Sequence, residues 1–134
     1  MSEKQLKRLP SYVLPEAVYR QALWAVKDLP RMKEKLQELE EVLDSMPQAY
    51  SGMPHGSGGR PADITALRAG EIAGLSVRIR AIEDSLMTVP EQYRDSILDK
   101  LVYGVPYPDY VHMNTWKKWQ QVYLYQVAMS LRLY

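Results

Sequence analysis

The spacing of apolar residues is the feature that most constrains the fold of this chain. Apolar side chains advance in steps of four and three residues in two separate stretches. They are Met32, Leu36, Leu39, Leu43 and Met46 in the first stretch, and Leu75, Ile79, Ile82 and Leu86 in the second. These steps place each set on one helix face and give it the form of a coiled-coil seam. Because strand-like alternation is nearly absent, we predict an all-α fold.

Prolines and glycines divide this pattern into helices. We predict five helices, over residues 15–29, 31–46, 63–87, 89–103 and 115–133. Pro30 separates the first two because the residue before a proline disfavours helical dihedrals. Residues 47–61 hold four of the seven glycines and three of the nine prolines, so we predict a loop there.

Capping residues mark the helix ends in the C-terminal part. Thr88 and Glu91 have the spacing of a capping box, which predicts Thr88 as the cap of the fourth helix. Gly104 is a natural C-cap, and Asn114 is the predicted N-cap of the last helix. Residues 105–112 contain two prolines, so we predict an irregular connector between these helices.

These elements suggest three parts of the chain. Residues 1–14 form an N-terminal extension, residues 15–87 form a helical region around the glycine-rich loop, and residues 88–134 form a helix-turn-helix-like unit. The seams of the second and third helices suit an antiparallel hairpin within one chain. They suit a homodimer equally well, and the sequence leaves both open.

The composition argues against catalysis and against a membrane partner. The chain has no cysteine and two histidines, and neither His55 nor His112 lies in the spacing of a zinc site or a hydrolytic triad. We therefore expect no enzyme, no cofactor and no metal site. No apolar run reaches the roughly 18 residues of a membrane span, and the start lacks the apolar segment of a signal peptide. These features predict a cytoplasmic protein.

The last helix combines aromatic and cationic side chains. Eight of the thirteen aromatic residues lie in the last 32 positions. A helical wheel places Trp116, Trp119 and Tyr123 on one face, which we predict to be buried. The opposite side carries the candidate DNA-facing residues, and Arg132 is a candidate phosphate contact. The DNA-facing candidates are Asn114, Thr115, Lys117, Lys118 and Gln121. The alternative is an amphipathic helix with a solvated polar face.

Two segments resemble a family of phage proteins. The stretch NTWKKWQQVYLYQVAMSLRLY is similar to the C-terminal helix of phage regulators of late transcription, the RinA/ArpU type. These regulators end in a helix-turn-helix similar to region four of bacterial sigma factors. The stretch GMPHGSGGRPADITALRA resembles their glycine-rich loop and the helix start that follows, here Asp63–Thr65. The order of elements agrees over roughly residues 15–134, whereas the prolines of the connector replace a regular helix of the family.

The resemblance implies a transcriptional regulator of phage or prophage origin. Its partners would be double-stranded DNA and host RNA polymerase, in the cytoplasm of a bacterial host. The net charge is only +1, so one copy makes few phosphate contacts and a homo-oligomer is expected. The alternative, from another class, is a helical phage assembly, packaging or scaffold protein that uses its seams to oligomerise.

Overall fold

The computed structural model describes residues 5–6, 9–45 and 59–134, with side chains from residue 63 onward in the last range. All regular secondary structure in these ranges is helical, which confirms the all-α class. The α-helices are α1 (Glu16–Lys27), α2 (Leu29–Asp44), α3 (Gly59–Ser85), α4 (Glu91–Tyr103) and α5 (Met113–Ser130). Short 3-10 turns occupy Pro10–Tyr12 and Leu86–Thr88. No helix in these ranges is long and apolar enough to cross a membrane.

Two of the predicted helix breaks lie within the described residues. Asp28 separates α1 from α2, directly before the Leu29-Pro30 step, which confirms the break predicted from Pro30. The predicted loop 47–61 is wrong for its last three residues, because Gly59–Pro61 belong to α3. Pro61 is tolerated there since the first turn of a helix needs no N–H donors. The rest of that loop, residues 47–58 with His55, lies outside the described residues.

The predicted capping box is wrong. The N-cap of α4 is Pro90, and no side chain caps this helix. The Thr88 hydroxyl instead donates to the carbonyl oxygen of Ser85 at 2.7 Å. The reason is the 3-10 turn over Leu86–Thr88, which continues directly from α3 and leaves Thr88 bonded to the helix before it.

The ends flanking the connector give one correction and one confirmation. The predicted N-cap Asn114 lies inside the first turn of α5, and the cap is His112, whose Nδ1 accepts from the Asn114 N–H at 3.1 Å. Gly104 ends α4 in the left-handed region at φ 71°, and its N–H donates to the Lys100 carbonyl at 3.0 Å. The predicted C-cap is therefore confirmed.

The chain divides into two compact units. One contains α1 and the chain from Arg80 to Tyr134, and the other contains the described residues between Arg31 and Ile79. The division differs from the boundary predicted at residue 88, because α1 packs against both α4 and α5. In the second unit, Met32 and Leu39 of the α2 seam are buried while Leu36 and Leu43 are half-buried. The predicted α2–α3 hairpin remains a prediction.

Helix α5 is the centre of the first unit. It contacts α1, α4 and both 3-10 turns. Its buried residues are Trp116, Gln120, Gln121, Val122, Tyr123, Leu124, Val127 and Ala128. Five consecutive buried positions, 120–124, leave no solvated face at the middle of the helix, as in a helix surrounded by others. Only the two ends of α5 remain open.

Candidate nucleic-acid interface

An aromatic cluster fixes the start of α5. Trp116 is fully buried, and the Tyr107 ring stacks on it with centroids 4.9 Å apart and planes 2° apart. The rings of Tyr93 and Tyr110 meet Trp116 edge-on at 5.1 and 5.8 Å. Such pairs contribute roughly 0.5–1.5 kcal/mol each beyond the area they bury. The predicted burial of Trp116 is confirmed, and the cluster joins α4, the connector and α5.

Hydrogen bonds hold the connector against the same cluster. The Trp116 Nε1–H donates to the carbonyl oxygen of Pro108 at 2.9 Å, and the Tyr107 hydroxyl donates to Gln120 Oε1 at 2.6 Å. Burial raises the pKa of the Tyr107 hydroxyl far above its usual range, so it remains a donor. The connector is irregular, as predicted from its two prolines, and it is nevertheless anchored at both of these points.

The second half of α5 is held by two further contacts. The Tyr123 hydroxyl donates to the Ile82 carbonyl at 3.0 Å, and Ser85 Oγ is 3.1 Å from Ser130 Oγ. Burial, and then the nearby carboxylate of Glu83, raise the pKa of the Tyr123 hydroxyl. The position and orientation of α5 are therefore set along its whole length.

Gln121 faces the protein interior, so its prediction as a DNA-facing residue is wrong. Its side chain is 1% exposed. Its Nε2 donates to the carbonyl oxygens of Leu6 and Tyr12 at 3.1 and 3.2 Å, and its Oε1 accepts a short bond from the Leu6 N–H. The N-terminal segment covers this side of α5, and a helical wheel of α5 alone contains no sign of it.

Sequence analysis missed this N-terminal contact altogether. The Tyr12 ring meets the Tyr125 ring edge-on at 5.3 Å, which also covers the next turn of α5. Gln5 stiffens the segment, because its side chain donates to the Leu14 carbonyl and accepts from the Leu14 N–H at 2.9 and 2.7 Å. Leu6 and Gln121 are 115 positions apart, so no local pattern in the sequence could indicate their contact.

The remaining candidates on the first turns of α5 are accessible. Asn114 and Lys118 are exposed, and Thr115 and Lys117 are half-buried. The Lys118 Nζ lies 4.7 Å from the centroid of the Trp119 ring, a distance at which a cation is attracted to the ring face. These residues also lie at the positive end of the α5 dipole, which favours anions. The structure therefore brings four of the six candidates together.

Arg132 is separate from this group. It follows the end of α5, about 27 Å along the helix axis from Asn114 at 1.5 Å per residue. Its backbone is left-handed at φ 57°, and its N–H donates to the Met129 carbonyl at 3.1 Å. Its main role in the fold is thus to terminate α5, and its exposed side chain lies at the opposite end of the helix.

The described residues contain neither a metal-binding cluster nor an unsatisfied buried side-chain polar atom. No group of three or more His, Asp or Glu side chains in these ranges could hold a metal ion. Every buried side-chain nitrogen or oxygen there has a hydrogen-bond partner. The accessible donors are therefore at the surface, where a large ligand can reach them.

Comparison with known proteins gives no match. No family model, no curated protein and no solved structure is significantly similar to this chain. The resemblance to the phage regulators consequently depends on the two sequence segments given above.

Proposed function

We propose that this protein is a DNA-binding transcriptional regulator of phage or prophage origin that contacts duplex DNA through the first two turns of α5. The observation that carries the proposal is the contrast within this helix. Its middle is buried on all sides, whereas Asn114 and Lys118 are exposed at its start. Recognition helices contact base edges with their N-terminal residues and need their other faces packed against the protein.

Each accessible side chain suits a particular contact. Lys117 and Lys118 can neutralise phosphates or donate to guanine, and the Asn114 amide can pair with adenine or a phosphate. The half-buried Thr115 hydroxyl can donate to a phosphate. Gln121 is withdrawn from this set because it binds the N-terminal segment. Host RNA polymerase is a second proposed partner, and it comes from the family resemblance alone.

The test is duplex binding at low salt, where phosphate contacts are strongest. Fluorescence anisotropy of a labelled random-sequence duplex at about 50 mM salt should show binding by the wild type. Lys117→Ala with Lys118→Ala should abolish most of it, and should lower the slope of log affinity against log salt by about 1.8.

The matched control removes the same charge elsewhere. Lys33 and Lys35 are both exposed on α2. Lys33→Ala with Lys35→Ala should retain wild-type affinity. Absence of wild-type binding at about 50 mM salt would exclude the DNA-binding function. Equal losses in the two double variants would show that binding follows net charge and not the α5 surface.

A second candidate function is a helical assembly or packaging protein. The exposed apolar side chains of α3 favour it, since Leu67 and Val77 are 68% and 69% exposed. Such a protein would not bind duplex DNA under the conditions above, so the same anisotropy measurement separates the two functions.

A further inference from the structure

One face of α3 is apolar and lies open to solvent. Leu67, Gly70, Gly74 and Val77 follow one another in steps of three, four and three residues, so they share a face, called here the outer face. The two large members are about two-thirds exposed. A Cβ atom added at either glycine would meet nothing within 4 Å. This face is therefore a strip with two large apolar ends and a shallow middle.

The fold of a single chain does not account for these glycines. A glycine inside a helix costs roughly 1 kcal/mol relative to alanine. Neither Gly70 nor Gly74 has a positive φ, and neither makes room for a neighbouring group. What two small residues on one helix face permit is the close approach of a second helix.

We propose that the outer face is an interface with a second copy of this chain, and that the two α3 helices pair antiparallel. The steps of three, four and three read the same in both directions. A two-fold axis near position 72 therefore sets Leu67 against Val77 of the second copy and Gly70 against its Gly74. An interface between identical copies must be self-complementary in this way.

The charges at the ends of the outer face support the antiparallel direction. Asp63 continues the face by one turn and is exposed. In this pairing it lies level with Ala81 of the second copy, within about one turn, or 5.4 Å, of that copy's exposed Arg78 and Arg80. The two-fold axis repeats this contact, so opposite charges meet at both ends of the interface.

One repulsion is also built into this pairing. Glu71 lies at the edge of the outer face, close to the axis, so it approaches Glu71 of the second copy. Like charges brought together weaken an interface. Glu71→Gln should therefore strengthen the dimer, by several-fold in its dissociation constant. A parallel pairing keeps the two Glu71 side chains apart and predicts no such gain.

Sedimentation velocity of the full chain tests the dimer without DNA. The wild-type mass should rise from 15.5 kDa toward twice that value between about 1 and 500 µM, as expected for a small interface. Leu67→Asp should keep the chain monomeric over this range. Ala69→Glu is the matched control, because Ala69 is exposed on α3 but lies well outside the outer face.

Single cysteines test the direction of pairing, since the chain has none of its own. Antiparallel pairing predicts that Glu71→Cys forms a disulfide-linked dimer and that Leu67→Cys does not, because the two copies of residue 67 are far apart. The opposite result would overturn the antiparallel arrangement. A wild type that stays at 15.5 kDa, or equal effects of Leu67→Asp and Ala69→Glu, would overturn the interface itself.

Discussion

The surroundings of α5 and the outer face of α3 use apolar and small residues in opposite ways. Around α5, the large side chains are consumed inside the chain, so that Trp116 and Tyr123 are fully buried and every hydroxyl or ring N–H there is bonded. On α3, Leu67 and Val77 remain outside. The difference teaches where partners can act, with DNA at the open start of α5 and a second copy at α3.

The largest effect that would break this comparison is the loss of the aromatic cluster. Trp116→Ala should lower the free energy of unfolding by about 3–5 kcal/mol, because it leaves a cavity among the stacked rings. Trp24→Ala is the control, since Trp24 is 62% exposed on α1, and it should cost far less. Urea denaturation followed by circular dichroism measures both. Similar losses for the two tryptophans would contradict the central position of the cluster.

A smaller effect concerns the N-terminal segment. Gln121→Leu leaves backbone groups of Leu6 and Tyr12 without their partner, so it should cost about 1–3 kcal/mol. It should also speed hydrogen exchange at the Leu6 amide. Gln126→Leu removes only a 3.3 Å bond to Ser130 near the surface, and should do neither. Unchanged exchange at Leu6 in the Gln121 variant would show that this contact does not hold the segment.

The smallest effect sharpens the comparison through one substitution at two places. Gly104→Ala should destabilise the chain by roughly 1 kcal/mol, because φ is 71° there and alanine is strained in that region. Gly70→Ala should stabilise the chain by up to about 1 kcal/mol, since the added methyl group meets open space in a regular helix. Thermal unfolding at low micromolar concentration compares them. A loss of stability in the Gly70 variant would mean that α3 packs there within one chain.

Local patterns predicted the helices well. The 3.6-residue periodicity gave the all-α class, and Pro30 and Gly104 marked helix ends because each restricts or permits backbone angles on its own. The predicted caps Thr88 and Asn114 failed since each competes with neighbours for the same backbone groups. In such places the winner depends on where the next turn begins, and sequence determines that only to within a residue or two.

The candidate interface was predictable only in part. Lys117, Lys118 and Asn114 follow from the polar side of α5, and the structure keeps them accessible or half-accessible. Gln121 lies on the same side by periodicity, yet it is buried, because a helical wheel assumes one packed face and α5 is packed all round at its middle. Contacts with a segment more than a hundred residues away come from the fold as a whole.

The separation of the two surfaces can be observed in one measurement. Amide chemical shifts of the full chain are followed by NMR, first during titration with a short duplex and then during dilution without DNA. Titration should shift the amides of residues 112–118 and leave those of residues 63–81 in place, and dilution should do the reverse. Shifts along α3 on DNA addition, or none at the start of α5, would contradict the assignment of DNA to α5.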